Sequence, residues 1–288
     1  MKILLTGAMG FLGRWLLNDL SPHFELTATG RQPKPLWMQQ SYAELDLTNQ
    51  DAVAALLKMD FDWIIHNAAM SKPDVCLNDP ATAWTNNVTA TNYLLQACSK
   101  HTRFLYVSTD FIFGDDGPHG EDATPQPLNY YGETKLAAEQ LVQASGLDYA
   151  IVRPVFIYGQ QLTEQRGSFV QWVANSLKAK QSIKVVNDQL RTPTYAPDIT
   201  KGIQQIIQQD ARGAYHLAGK DIVSPYQMAV QIAAAAGLDA GLITPVDETS
   251  FPEPVRRAKK GGLLIDKAVR ELGYAPVDIE TGIRLSLA

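Results

Sequence analysis

The chain has 288 residues, of which 45% are hydrophobic and 19% are charged, and its formal net charge is -5. This length suffices for the core of one large α/β domain, or of a domain with a smaller lobe. The acidic balance argues against nucleic acid or an anionic membrane as a partner, because both attract basic surfaces. The expected partner is a small-molecule substrate, and the chain is expected to be a monomer or a homodimer.

The number of cysteines and the length of the apolar stretches indicate the cell compartment in which the protein is expected. Cys76 and Cys98 occur without a C-x-x-C motif or an adjacent histidine cluster. This spacing predicts neither a disulfide framework nor a zinc site, and no other metal site is expected. No uninterrupted apolar stretch approaches the length of a bilayer span. We therefore expect two packed thiols in a cytoplasmic protein.

The first half of the chain alternates between short apolar runs and longer segments of helical periodicity. Parallel strands need crossover connections, which helices supply on both faces of a sheet. The alternation therefore predicts an α/β fold with a doubly wound parallel sheet. The predicted strands are Lys2–Leu5, Glu25–Thr29, Trp63–His66, Phe104–Ser108 and Tyr149–Arg153, and the helices are Phe11–Leu20, Asn49–Lys58, Ala81–Lys100 and Asn129–Ser145.

The pattern changes after Pro154, and the last part of the chain is expected to be mostly helical. We predict a nucleotide-binding domain over 1–154, completed by about 193–217, and a smaller C-terminal substrate-binding lobe, discontinuous and mainly within 155–288. The lobe would cover the carboxyl ends of the strands, where ligands of such sheets bind. The segments concerned are a helix at Ser168–Ala179, a strand at Ile183–Val186, a helix at Pro197–Gln209, a strand at Ala214–Leu217 and the basic, proline-rich stretch Phe251–Lys260.

A glycine turn follows the first strand, with the spacing G-x-x-G-x-x-G instead of the dinucleotide pattern G-x-G-x-x-G. Glycine permits a tight turn and a close backbone approach, and a helix that begins here directs its free N–H groups at a pyrophosphate. With this turn, the predicted sheet is of the Rossmann type. The alternative is a loop that only packs strand against helix. The predicted cofactor contacts here are Gly7, Met9, Gly10, Phe11, Leu12 and Gly13.

The end of the second strand distinguishes the two nicotinamide dinucleotides. An acidic residue there would bind the ribose hydroxyls of NAD, whereas this chain has Gly30 and Arg31. A guanidinium suits the additional 2′-phosphate, so NADP(H) is the preferred cofactor and NAD(H) the second option. The alternative for Arg31 is a solvated loop residue. Further predicted cofactor contacts are Asp46, Leu47, Asn67, Ala68, Ala69, Tyr131, Lys135 and Arg153.

Tyr131 and Lys135 lie four residues apart, on one face of a predicted helix. Reduction of a ketone by a hydride leaves an alkoxide that needs a proton, which a tyrosine can donate. A neighbouring ammonium stabilises the phenolate that remains, and the Thr109 hydroxyl can orient the substrate carbonyl. We therefore predict Tyr131 as the acid, Lys135 as its electrostatic partner and Thr109 as the orienting donor. Tyr130 lacks a lysine one turn further on, because Thr134 occupies that position.

Together these motifs resemble those of the extended short-chain dehydrogenase/reductase family over essentially the whole chain. Within it, the resemblance is to the dTDP-4-dehydrorhamnose reductases and their relatives, which include the regulatory β subunit of methionine adenosyltransferase. The resemblance implies that Thr109, Tyr131 and Lys135 form the catalytic trio. The matching stretches are Thr6–Gly13, Tyr106–Phe113, Tyr131–Lys135, Arg153–Gly159 and Asp188–Tyr195.

The resemblance implies an NADP-dependent reductase of a 4-keto-6-deoxy nucleotide sugar. Dehydratases of the family carry an acidic pair directly after the threonine, whereas Asp110 is followed here by Phe111. Two alternatives stay open. One is a non-catalytic NADP-binding regulatory subunit similar to the methionine adenosyltransferase β subunit, suggested by Lys72–Val75, and the other is a nucleotide-sugar epimerase.

The diphosphate of a nucleotide sugar requires cationic partners. Arg191 and Arg256 lie in family-like stretches and are predicted substrate contacts, together with Thr109 and Asp110. The alternative for Arg256 and its neighbour Arg257 is a solvated charge run.

Three further polar residues divide into one site candidate, Asn87, and two core histidines. Asn87 resembles part of the family segment that packs beneath the active site. His66 and His216 follow apolar strand residues, and we expect both to be hydrogen-bonded core groups and not ligands.

Overall fold

The computed structural model describes residues 1–162, 167–251 and 255–288. Within these ranges the main sheet has seven strands, all parallel, and two pairs of short parallel strands lie outside it. In chain order, the strands are Lys2–Thr6 (β1), Glu25–Gly30 (β2), Ser41–Glu44 (β3), Trp63–His66 (β4), Arg103–Val107 (β5), Tyr149–Arg153 (β6), Ile157–Tyr158 (β7), Ile183–Val186 (β8), Thr194–Tyr195 (β9), Gly213–His216 (β10) and Ile243–Val246 (β11).

The strand order of the main sheet is β10-β6-β5-β4-β1-β2-β3. The chain winds from β1 to β3 at one edge, returns to β4 beside β1, and continues to β10 at the other edge. The winding direction therefore reverses between β1 and β4, whose register pairs Thr6 with His66. Ligands of doubly wound sheets bind outside the carboxyl ends of the strands at this reversal. The predicted fold class is confirmed.

Helices cover both faces of the main sheet. The core layer on one face includes residues of the helices Phe11–Leu20, Ala196–Gln209 and Asp266–Leu272. The layer on the opposite face includes residues of the helices Gln50–Leu57, Ala90–Ala97 and Tyr130–Ala144. In chain order, the described α-helices are Phe11–Leu20 (α1), Gln50–Leu57 (α2), Pro73–Asn78 (α3), Pro80–Trp84 (α4), Ala90–Ala97 (α5), Tyr130–Ala144 (α6), Phe169–Lys178 (α7), Ala196–Gln209 (α8), Pro225–Ala236 (α9), Asp266–Leu272 (α10) and Ile279–Leu287 (α11).

A separate hydrophobic core lies outside the main sheet, where α7, α9 and α11 pack around the pair β8 and β11. Its buried residues include Val173, Ile232 and Ile283. These elements fall in the region predicted as a smaller, discontinuous lobe, whose boundaries and substrate role remain predictions. α8 and β10 instead pack with the main sheet, in the stretch expected to complete it.

The helix predicted over Ala81–Lys100 is divided in the structure. It consists of α4, a π-helical turn at Thr85–Thr89, and α5, which ends at Ala97. The π turn contains Asn87, whose buried side chain hydrogen-bonds to groups on neighbouring segments. Short π-helical insertions are common at functional sites. Helical periodicity in the sequence does not show that one polar side chain needs hydrogen-bond partners elsewhere in the fold.

The strand β11 was not predicted within the C-terminal region. It contains a proline, and its parallel partner β8 lies more than fifty residues earlier in the chain. Because a four-residue strand depends on its partner for hydrogen bonds, local sequence alone does not indicate it.

The sequence-based expectations on membrane spans, metal sites, cysteines and the basic stretch can be compared with the structure. Among the described residues, no helix is long and apolar enough to cross a bilayer, and no group of three or more metal-ligating side chains is found. Cys76 and Cys98 are free thiols, the first fully buried and the second half-buried. Of the predicted stretch Phe251–Lys260, residues 252–254 lie outside the described ranges.

Candidate active site

A cleft of about 1000 Å³ opens at the carboxyl ends of the central strands. Its walls are the glycine turn, the segments that follow β2 to β6, and the first two turns of α6. The sequence-predicted contacts that line it are Gly7, Met9, Gly10, Phe11, Leu12, Arg31, Asp46, Leu47, Asn67, Ala68, Ala69, Thr109, Asp110, Tyr131 and Lys135.

The glycine turn depends on close backbone contacts. Gly7 has a φ of 66°, and a Cβ there would lie 2.6 Å from the backbone nitrogen of Ala68. Gly10 donates its N–H to the Gly7 carbonyl oxygen at 3.0 Å, and a Cβ on Gly13 would overlap that oxygen. α1 begins directly afterwards without a side-chain cap, so its first N–H groups are available to an anion. Gly13 thus serves packing, whereas Gly7 and Gly10 line the cleft.

His66 ties the glycine turn to β4. Its Nδ1 lies 2.7 Å from the Thr6 hydroxyl, whose oxygen accepts the N–H groups of Asn67 and Ala68 at 3.2 and 3.1 Å. Its Nε2 lies 2.9 Å from the Thr91 hydroxyl, which itself donates to a backbone carbonyl. These partners assign a neutral ring that carries its proton on Nε2. Burial, with a smaller effect of the Lys135 charge, lowers the pKa of His66 to about 3.

His216 lies in a second buried network. Its Nε2 accepts from the Arg153 guanidinium at 3.3 Å, and its Nδ1 donates to the Leu264 carbonyl at 3.1 Å. Burial first, and then the charge of Arg153, lowers the pKa of His216 to about 3. Both histidines are therefore neutral core groups, as predicted.

These two histidines are expected to make the fold sensitive to acid. A histidine whose folded pKa lies below its unfolded value contributes stability that is fully present above about pH 6.5 and is lost as the pH falls towards 3. The loss is about 2 kcal/mol for each histidine at pH 5. Urea unfolding at pH 7 and pH 5 measures it. His66→Gln should reduce the difference between the two pH values, whereas replacement of the exposed His101 should not. An unchanged difference in His66→Gln would contradict the assignment.

The wall beside the glycine turn contains Gly30, Arg31 and Asp46. A Cβ on Gly30 would lie 2.5 Å from the Tyr42 hydroxyl, so the strand end tolerates no larger residue without movement. Asp46 accepts the N–H and hydroxyl of Thr48 at 2.9 and 2.8 Å, which lowers the pKa of its carboxyl, and the charge of Arg31 adds a smaller effect. Arg31 itself is exposed at the rim of the cleft.

α6 carries Tyr131 and Lys135 into the cleft from its first two turns. Asn129 caps the start of the helix, and its side chain accepts a first-turn N–H at 3.0 Å. Tyr131 is 7% exposed and Lys135 is 2% exposed. The Lys135 ammonium donates to the Val107 carbonyl at 2.8 Å and lies 4.1 Å from the centre of the Tyr106 ring. Contact with the end of β5 thus positions the lysine.

Burial shifts Tyr131 and Lys135 towards their neutral forms. It raises the pKa of the Tyr131 phenol, an effect that Thr109 opposes and Asp110 reinforces. It lowers the pKa of Lys135 to about 7, and the Glu139 carboxylate opposes that shift. Tyr131 therefore keeps its proton at neutral pH, as a general acid must. Negative charge on the phenol oxygen would raise the pKa of Lys135 again.

Thr109 and Asp110 follow β5 and form the part of the wall nearest that strand. The Thr109 hydroxyl accepts the Phe111 N–H at 3.3 Å and lies 3.2 Å from an Asp110 carboxylate oxygen, to which it donates. The other Asp110 oxygen is 3.9 Å from the Arg191 guanidinium. Burial raises the pKa of Asp110, and Arg191 opposes that rise. Arg191 therefore lies behind Asp110 and does not itself line the cleft.

A family described as the RmlD substrate binding domain matches residues 1–288. The chain belongs to this family. The dTDP-4-dehydrorhamnose reductase of Mycolicibacterium smegmatis is 30% identical over 267 residues, which cover 89% of this chain and 76% of the relative. The methionine adenosyltransferase 2 subunit beta of Mus musculus is 28% identical over 298 residues, which cover 99% of this chain and 87% of the relative.

A solved structure of a dTDP-4-dehydrorhamnose reductase from Bacillus anthracis, in complex with NADP, is similar to this chain with a TM-score of 0.88 and 27% identity. The match covers 99% of this chain and 98% of that one. The resemblance to the extended short-chain dehydrogenase/reductase family is confirmed, and with it the NAD(P)-dependent oxidoreductase type.

In this RmlD-family chain, Arg153 does not line the cleft, contrary to its prediction as a cofactor contact. Its guanidinium donates to the Glu139 carboxylate from Nε at 3.0 Å and from Nη2 at 2.7 Å, and both side chains are buried. The remaining nitrogen, Nη1, faces His216. All three guanidinium nitrogens thus face protein partners behind α6, which leaves none for a cofactor.

Arg256 also lies away from the cleft. Its side chain is 65% exposed and pairs with Asp115 at 2.6 Å. Its backbone carbonyl accepts from the Asn129 side chain at 2.9 Å, at the start of α6. The solvated charge run is therefore the better description of the Arg256 side chain. The buried Asn87 does not line the cleft either, and joins the Met70 backbone to Thr134 of α6.

The cleft residues that sequence reasoning missed include Arg14, Ser108 and Phe156. Ser108 directly precedes Thr109, and its hydroxyl is buried without a hydrogen-bond partner in the part of the chain that the structure describes. Arg14 directly follows the third glycine. Adjacency to a motif was the available signal for both, whereas Phe156 carries no local signal.

Proposed function

We propose that the chain is an NADP-dependent reductase of a 4-keto-6-deoxy nucleotide sugar, with Tyr131 as the proton donor. The observation that carries this proposal is the placement of Thr109, Tyr131 and Lys135 in one cleft with the glycine turn. The similarity to dTDP-4-dehydrorhamnose reductases supports the class of substrate. The similarity to a protein solved with NADP supports the cofactor.

The cleft suits a dinucleotide phosphate. Gly7 and Gly10 leave the backbone open, and the uncapped start of α1 supplies N–H groups for the pyrophosphate. Arg31 stands where the ribose next to adenine is bound in such sheets. Lys135 uses one ammonium proton on Val107 and retains others for a ribose hydroxyl and for Tyr131.

When bound, reduced nicotinamide supplies the hydride for the ketone carbon. Tyr131 then transfers its phenolic proton to the substrate oxygen, which becomes the product hydroxyl. Lys135 stabilises the resulting phenolate by its charge. Thr109 donates a hydrogen bond to the substrate oxygen and holds it within reach of Tyr131. The single Thr109 hydroxyl proton is directed at Asp110 in the structure, so the hydroxyl has to rotate away from Asp110 to donate to the substrate oxygen.

The test is NADPH oxidation by the purified chain with dTDP-4-dehydro-6-deoxy-L-mannose, with identification of the product. Stoichiometric NADPH consumption with formation of the 4-hydroxy sugar supports the reductase. An altered sugar with NADPH retained would indicate epimerisation. A chain that binds NADPH but converts no sugar, and that co-purifies stoichiometrically with a methionine adenosyltransferase in its native cell, would indicate the regulatory subunit.

Arg31 is expected to set the preference for NADPH over NADH. Replacement of Arg31 by alanine removes charge-assisted hydrogen bonds to the 2′-phosphate and should weaken NADPH binding about tenfold or more, with little effect on NADH. Titration calorimetry measures both. The exposed Arg212, which pairs with Asp148, provides the control Arg212→Ala. Equal NADPH affinity in Arg31→Ala and the unaltered chain would contradict the assignment.

A further inference from the structure

Arg14 is a buried cation on the wall of the cleft. It lies on α1, directly after the third glycine of the turn, and the residue is 7% exposed. Among the described residues its guanidinium has no hydrogen-bond or ion-pair partner, and Nη1 is buried without an acceptor. The other buried arginines that the structure describes have acidic partners, Arg153 with Glu139 and Arg191 with Asp110. A buried polar group without a partner is costly, so this arrangement indicates a ligand with acceptor oxygens.

Trp37 covers one face of this cation. The Arg14 guanidinium carbon lies 3.3 Å from the centre of a Trp37 ring, in a cation–π contact. Trp37 belongs to the segment between β2 and β3 that begins with Arg31, and it is about half exposed. Stacking uses the face of a guanidinium and leaves the N–H groups at its edge free to donate. The tryptophan thus fixes the plane of the guanidinium without satisfying its donors.

The position of Arg14 separates it from the pyrophosphate. The free N–H groups at the start of α1 serve the pyrophosphate, whereas the Arg14 side chain contacts the segment after β2 through Trp37. Gly30 and Arg31, at the end of β2, line the same cleft. The adenosine ribose of a dinucleotide lies at the end of this strand. The anionic group of a dinucleotide that would lie beside both arginines is a phosphate on the ribose 2′-hydroxyl.

We propose that Arg14 is a second specificity-determining residue for NADP(H), binding the adenosine 2′-phosphate together with Arg31. The proposal rests on the proposed function to the extent that the cleft holds the dinucleotide. Arg31 approaches the phosphate from the exposed rim, and Arg14 from the buried wall. Because a charge-assisted hydrogen bond is stronger away from water, Arg14 is expected to contribute at least as much as Arg31.

Two adenosine nucleotides that differ only in the 2′-phosphate test this directly. Adenosine 2′,5′-bisphosphate and adenosine 5′-monophosphate are titrated calorimetrically into the unaltered chain and into Arg14→Gln, Arg14→Lys and Arg284→Gln. Arg284 is an exposed arginine paired with Glu280 and serves as the matched control. Arg14→Gln should bind the bisphosphate at least tenfold more weakly and the monophosphate within about twofold. Arg14→Lys should recover part of the difference because it keeps the charge.

Equal weakening of both nucleotides, or of neither, in a folded Arg14→Gln protein would overturn the proposal. Thermal melting establishes whether each variant is folded, and the Arg14→Lys comparison decides the case if Arg14→Gln does not fold. If the unaltered chain prefers the bisphosphate, Arg14→Gln loses that preference and the unaltered chain turns over no nucleotide sugar, the reductase is refuted and the role of Arg14 is supported. An unaltered chain that binds neither nucleotide would overturn both proposals.

Discussion

Replacement of Tyr131 by phenylalanine is expected to lower kcat for ketone reduction by about 10² to 10⁴-fold while NADPH binding stays within about threefold. The substitution removes only the phenolic oxygen, so the ring keeps its packing against Phe111, whose centroid is 5.5 Å away. The proton then has to come from water or from a group without the same geometry. Steady-state kinetics with a nucleotide-sugar ketone, together with calorimetric titration of NADPH, measures both quantities.

The neighbouring tyrosine provides the control for that experiment. Tyr130 begins the same helix, but Thr134 stands where a lysine would be needed one turn further on. Tyr130→Phe should therefore keep kcat within a few-fold of the unaltered chain. Equal losses in the two variants would show that a phenol at this helix start is structural. Full activity in Tyr131→Phe would remove Tyr131 from the mechanism.

Replacement of Glu139 by alanine is expected to destabilise the fold by about 3 to 5 kcal/mol. Glu139 accepts two hydrogen bonds from Arg153, at 3.0 and 2.7 Å, and the side chains of the pair are 2% and 5% exposed. Loss of the carboxylate leaves a buried guanidinium without its counter-charge. The free energy of unfolding from urea titration measures the effect.

The exposed pair of Glu280 and Arg284 is the control, since both of its side chains are mostly solvated. Glu280→Ala should cost less than about 1 kcal/mol. The double replacement Glu139→Leu with Arg153→Met should recover much of the loss, because it removes both buried charges at once. A loss in Glu139→Ala no larger than that in Glu280→Ala would contradict the assigned burial and pairing.

Glu139 also connects fold stability with the candidate site. It lies one turn after Lys135 on α6 and opposes the fall in the lysine pKa that burial causes. The same carboxylate therefore holds Arg153 at the end of β6 and favours the charged form of Lys135. Experiments on Glu139 variants should therefore measure the pH dependence of kcat as well as the free energy of unfolding.

Many residues of the cleft wall were predictable because they follow directly after the ends of strands. In a parallel sheet, every strand ends at the same edge, so the residues after β1, β2, β3, β4 and β5 converge there. Gly7, Arg31, Asn67 and Thr109 lie at or just after the ends of predicted strands, and all of them line the cleft. Tyr131 and Lys135 were predictable for a different reason, because four-residue spacing places two side chains on one helix face.

The arginines were the least predictable residues. Arg14, Arg153, Arg191 and Arg256 look alike in a sequence, since each is a long cation near a family motif. The role of each arginine side chain depends on its partners elsewhere in the chain. Arg153 pairs with Glu139 and His216, Arg191 with Asp110, and Arg256 with Asp115 in solvent. Among the residues that the structure describes, Arg14 contacts the ring of Trp37 and has no polar partner.

Local information in the chain therefore accounts for the parallel sheet, the glycine turn and the tyrosine–lysine pair, because strand ends, helix starts and helical spacing are properties of short segments. The tertiary structure alone decided the division of the predicted helix around Asn87, the strand β11 and the roles of the arginines. These depend on which distant groups satisfy a buried hydrogen bond or charge, and that pairing exists only after the chain has folded.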